Sequence, residues 1–223
     1  MESKRVSLFK GRKNLEMLVH MREGKLLFKK ADLCTDKSLM DVPVEVQMAN
    51  ASLMHAARNN LLEKGREALI SSANPNIYDK FGFTPLFWAL ANRNEDFALM
   101  LLLYDASIHM RNPLGETPLM VASYFGMCGV IKEIIIKGAE LNARNLYRMT
   151  ALMCAAQGGS ENAVALLISA GANPLLKDSR HLSALDYARY LKHRDVEMLL
   201  RAVCTPGRPL KTENYLNKEL AKL

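Results

Sequence analysis

Residues 79–89 read Asp79-Lys80-Phe81-Gly82-Phe83-Thr84-Pro85-Leu86-Phe87-Trp88-Ala89. Gly82 can take the positive φ of a tight turn, a region open to a residue without a Cβ. Thr84 carries the hydroxyl of a helix N-cap. Pro85 suits the first helical turn, where a missing N–H breaks no hydrogen bond. Leu86, Ala89 and Leu90 then share one face of a short helix. The stretch predicts a turn, a cap and a helix in immediate succession.

Thr117-Pro118-Leu119 repeats the helix start 33 residues later, behind Gly115. Thr150 and Ser183 follow at the same interval, and Ala51 stands one period upstream of Thr84. The units also close alike, as Ser72-Ala73-Asn74-Pro75-Asn76, Gly138-Ala139-Glu140-Leu141-Asn142 and Gly171-Ala172-Asn173-Pro174. Ala89, Ala122, Ala155 and Ala188 recur in register, as close approach of neighbouring inner helices demands. A 33-residue period with a Thr-Pro-Leu helix start resembles the ankyrin-repeat family. The resemblance implies an all-α fold, an α-solenoid of helix-turn-helix units joined by hairpin-like turns. Asn112 and Asn145 replace the turn aspartate and keep an Asx-type turn available. Arg148 and His181 replace the turn glycine, which sets those two turns, though not their helices, at odds with the pattern.

The register divides the chain into a basic N-terminal extension (1–45), five repeats over 46–203 and a C-terminal tail (204–223). The repeats are expected at about 46–78, 79–111, 112–144, 145–177 and 178–203. The outer two deviate most, as terminal units without an outer neighbour do. Unit one lacks the Asp, Gly, Thr and Pro of the turn. Unit five is expected to start its second helix one residue early, over Asp195–Arg201, with Pro206, Gly207 and Pro209 ending regular structure. In the extension, Leu15, Leu18 and Val19 have helical spacing, while Arg22-Glu23-Gly24-Lys25 also suits a hairpin. Its expected role is a cap over unit one, with a separate docking segment as the alternative.

Net charge is +7, but it is spread: residues 1–48 contribute +3, 49–204 contribute +2 and the tail +2. No segment is a basic block, which weighs against nucleic acid as the main partner. No run of 18 apolar residues is present, so no membrane span is expected, and the basic start lacks the apolar core of a secretory signal. Cys34, Cys128, Cys154 and Cys204 show neither pairing nor metal spacing. An intracellular location, cytoplasmic or nuclear, follows as the expectation.

The register also nominates surface residues. At the hairpin tips stand Tyr78, Lys80, Phe81 and Phe83, then Arg111, Leu114 and Glu116, then Arg144, Leu146, Tyr147 and Met149, then Lys177, Arg180 and Leu182. Tyr124, Phe125, Gln157, Tyr190 and Leu191 line the groove side of the inner helices. Contiguous exposed apolar residues mark interaction surfaces, and aromatics with arginine are common binding hot spots. Arg111, Arg144 and Lys177 share one position and form a cation ladder, suited to an acidic strip. The expected function is therefore a noncatalytic adaptor, scaffold or assembly subunit, binding a protein with an acidic and apolar surface. The alternative is a binder of nucleic acid or another acidic polymer through the ladder and basic termini. Isolated histidines, no phosphate loop and thiols without a base nominate no enzyme, cofactor, metal or dedicated small molecule. Lys4-Arg5-Val6-Ser7 has the basic context of a phosphosite at Ser7.

Overall fold

The computed structural model describes residues 43–204. The cap reading of the extension, the Ser7 site and the C-terminal tail lie outside the described residues. Among the described residues ten helices follow one another in five pairs: α1 (Val44–Asn59) with α2 (Leu62–Ile70), α3 (Pro85–Ala91) with α4 (Glu95–Leu103), α5 (Pro118–Phe125) with α6 (Cys128–Ile136), α7 (Ala151–Gly158) with α8 (Glu161–Ser169), and α9 (Ala184–Tyr190) with α10 (Arg194–Cys204). Each odd-numbered helix packs on the next odd one, and each even helix on the next even one. The result is a two-layer solenoid with an inner and an outer row.

The caps follow the sequence. Thr84, Thr117, Thr150 and Ser183 each accept a hydrogen bond from the third residue on, at 3.3–3.4 Å. Each such cap is worth about 1 kcal/mol. Pair one has no such start, and nothing stops its inner helix at residue 51. It runs upstream to Val44 and reaches 16 residues. The last outer helix begins at Arg194, 33 residues after Glu161, so it is in register and the expected early start is corrected. Val196 takes the place of buried Ala163, which shifts the apolar pattern without shifting the helix.

One column of side chains shows how the array ends. Met54, Phe87, Met120 and Met153 stand at equivalent places between inner helices and are all buried. The fifth member is Asp186, half-buried and bonded to Ser183 in a capping box. A carboxylate there faces water at modest cost, where a methionine would leave an unmatched apolar patch. The alanine column, Ala56 to Ala188, is wholly buried and allows the close helix approach. Gly65 performs a similar task between outer helices, since an added Cβ would meet the Phe97 ring at 2.4 Å.

Candidate functional site at the hairpin tips and groove

Four turns separate the five pairs, and one side-chain oxygen organises each. Oδ1 of Asp79 accepts from the N–H groups of Phe81 and Phe83 at 2.9 and 3.0 Å. Asn112 and Asn145 repeat this with Leu114 and Glu116, and with Tyr147 and Met149. Asp178 repeats it with Arg180 and Leu182. The Asn substitutions thus preserve the turn. The fourth residue of each turn has a positive φ: Gly82 78°, Gly115 73°, Arg148 60° and His181 62°. Arg148 and His181 therefore keep the turn geometry intact, against expectation, and bear the steric cost of a Cβ in the left-handed region.

The remaining atoms of these side chains differ. Oδ2 of buried Asp79 accepts from Arg58 at 2.6 Å and from the Trp88 indole N–H at 3.0 Å. Asp178 is held by Arg180 at 3.2 Å and by the Tyr187 hydroxyl at 2.8 Å. Arg180 also donates to Tyr187. Asn112 Nδ2 donates to Glu116 Oε2 at 2.8 Å. Burial pushes the Glu116 carboxyl above the usual carboxylate range, and the Asn112 bond opposes that only in part.

The tips do not present every nominated residue. Phe83 is 4% exposed and packs edge-on to Phe87, with ring centroids 6.3 Å apart. This corrects its assignment to the surface. Successive side chains on an extended arm point to opposite faces, and Phe83 falls on the inward one. Glu116 is buried at the same position; Met149 and Leu182 are half-buried and lie against the core. Their apolar character serves the frame. Phe81 is half-buried on the core under Lys80, and Leu114 is half-buried. Tyr78 is exposed, as are Leu146 at 71% and Tyr147 at 40%.

The cation ladder is uneven for a similar reason. Arg111 Nη1 donates to its own turn at Gly115 O and across to Arg144 O, at 2.9 and 2.8 Å. It staples two turns together. Arg180 neutralises Asp178. Arg144 is half-buried, while Lys177 and Arg148 are exposed.

On the groove side, Tyr124 and Phe125 meet edge-on at 5.0 Å, and the Arg93 guanidinium lies 4.6 Å over the Phe125 ring. Burial raises the Tyr124 phenol; nearby Arg93 lowers it and Cys154 raises it further. Gly158 lets this cluster form, because a Cβ there would fall 1.9 Å from Tyr124 O. Gln157 is half-buried and its carbonyl lies 3.3 Å from His193 Nε2, while Tyr190 and Leu191 are exposed. Arg93 was missed in the sequence, although it stands one period before Gly126 at a positive-φ position. A second omission is an outer ridge of Ile70, Leu103 and Ile136, spaced by 33 residues and 66%, 78% and 78% exposed.

Burial drives the Cys154 thiol well above its ordinary range, with Glu116 adding to it, and raises Cys128 with help from Glu95. Thiols so shifted are poor nucleophiles. Among the described residues no three His, Cys, Asp or Glu side chains converge as metal ligands, and no helix is long and apolar enough to cross a membrane.

The family model for ankyrin repeats (three copies) matches residues 53–145 and 119–207. The chain is an ankyrin-repeat protein. Its array is 29% identical over 131 residues to neurogenic locus notch homolog protein 1 of Xenopus tropicalis, covering 58% of this chain and 5% of that protein. The Homo sapiens protein of that name matches to the same extent. A rice protein (Oryza sativa subsp. japonica) named "Probable E3 ubiquitin-protein ligase XBOS34" is 39% identical over 106 residues, 46% of this chain and 21% of its own. The chain thus spans a small part of the relatives it matches. Ankyrin repeats are generally protein–protein interaction modules and are typically noncatalytic.

Proposed function

We propose that this ankyrin array is an adaptor or assembly subunit that captures a protein partner through its hairpin tips and groove. Its working body is the five repeats over 46–203. The observation that carries the reading is the exposed Leu146 and Tyr147 in the same hairpin turn as Arg144 and Arg148, with Tyr190 and Leu191 exposed on the groove side. Apolar and aromatic side chains next to arginine are the composition of binding hot spots. The groove adds the Tyr124, Phe125 and Arg93 cluster. Free thiols at Cys128, Cys154 and Cys204 suit a reducing, intracellular setting.

The test compares two faces. A variant carrying Leu146→Ser, Tyr147→Ser and Tyr190→Ser is set beside one carrying Leu103→Ser and Ile136→Ser. Affinity capture from the source cell, quantified by mass spectrometry, should lose the same proteins with the first variant and keep them with the second. Loss with the ridge variant alone moves the interface to the outer helices and ends this reading.

A further inference from the structure

The turns at Asn145 and Asp178 carry polar side chains at their tips. Arg148, Lys177 and His181 are exposed and Arg144 is half-buried, and Lys177 also acts on the Asp186 carboxylate. Among the described residues no hydrogen bond or ion pair ties the side chains of Arg148 and His181 to the fold. Both nevertheless sit in the left-handed region, at φ 60° and 62°, where Gly82 and Gly115 serve without strain. Asn60, Ser72, Arg93, Asp105 and Lys192 share the left-handed region, so what sets these two turns apart is an exposed side chain without a structural partner at the same place in successive tips.

The spacing specifies that contact. Leu146 N donates to Leu114 O at 3.1 Å, and Ser179 N to Tyr147 O at 2.9 Å. The turns are therefore joined edge to edge as strands are, each contributing two strand widths. Equivalent residues in successive turns stand about 10 Å apart, and an extended chain covers that distance in about three residues. Leu146 and Tyr147 are exposed in the turn that carries Arg144 and Arg148.

We propose that these two turns grip an extended acidic protein segment. Its carboxylates, three residues apart, meet Arg144 and Arg148 at one turn and Lys177 at the next, with the His181 ring beside it as a hydrogen-bond donor. An apolar side chain between them rests on Leu146 and Tyr147. A protein segment fits better than a nucleic acid, because residues 49–204 carry only +2 and no segment is a basic block. Phosphate-driven binding draws on many contacts along a groove. The proposal rests on the tip-binding reading above and narrows it to a ligand class.

Fluorescence anisotropy with labelled synthetic peptides tests it. The probe bears two aspartates three residues apart with leucine between them; comparison peptides place the aspartates two apart or replace them with asparagine. The intact chain should prefer the first spacing and lose it with asparagine. Arg148→Gly should weaken binding about tenfold, the scale of a hot-spot arginine, while raising the melting temperature, because it removes the charge and the strain together. A merely structural arginine would not separate the two readouts. Equal affinity for both spacings, unchanged affinity in Arg148→Gly, or displacement of the peptide by a single-stranded oligonucleotide at lower concentration overturns the proposal. If the Leu146, Tyr147, Tyr190 variant loses its captured protein and no acidic peptide binds, the adaptor reading survives and this one falls.

Discussion

The inner turns at Asn112 and Asn145 and the outer turns at Asp79 and Asp178 build the same backbone with different chemistry. In all four, one side-chain oxygen accepts two main-chain N–H groups at 2.8–3.0 Å. Asparagine does this without charge. Aspartate does it with a buried carboxylate, which needs a cation to offset its lost hydration. Asp79 draws Arg58 from the preceding pair, and Asp178 draws Arg180 from its own turn. The outer turns are therefore tied electrostatically to particular partners, and the inner ones are not. Geometry at these turns is set by one side-chain oxygen, while their sensitivity to mutation is set by the cation that offsets its charge.

The largest effect is expected where that tie is cut. Arg58→Met leaves Asp79 buried without its cation and should cost about 3 kcal/mol in urea unfolding. Adding Asp79→Asn should recover most of the loss, since the turn then resembles its inner counterparts. A double variant as unstable as the single one would show that Arg58 acts through packing on Trp88, 5.4 Å from its ring, and not through charge.

The reverse exchange should be smaller. Asn112→Asp places a second carboxylate against Glu116 and replaces a 2.8 Å hydrogen bond with repulsion. The expected loss is about 2 kcal/mol at neutral pH, and it should shrink on acidification as Glu116 takes up a proton. A loss independent of pH would mean that the two carboxyls do not share the site.

The smallest effect concerns slope. Burial raises Glu116 above its ordinary value of 4.5, so the folded chain holds this proton more tightly than the unfolded chain does. The stability that the carboxyl contributes is greatest at low pH and falls as pH rises from 4.5 through the raised value. Glu116→Gln should flatten that part of the stability–pH curve while keeping an acceptor for Asn112. An unchanged slope would place the titration elsewhere.

Much of the fold was legible because its signals are local. Thr84 and Pro85 cap and start a helix wherever they stand, and Asn112 serves the turn as Asp79 does. The 33-residue period then places each pair on the last. From the sequence α10 is expected one residue early, over Asp195–Arg201, whereas the helix begins in register at Arg194. The ridge of Ile70, Leu103 and Ile136 follows from the same period, but its exposure is set by the packing of the outer helices.

The sequence by itself determined the period, the caps, the turn residues and hence the all-α ankyrin solenoid, since each depends on neighbours a few positions away. Only the tertiary structure decided which nominated residues are available to a partner. Alternation along a turn assigns side chains to two faces, and packing against Trp88 and Phe87 chose the inward one for Phe83. The long arms of Arg111 and Arg58 reach a carbonyl and a carboxylate brought near only by folding. Arg148 was left outside, held in a conformation that its own backbone disfavours.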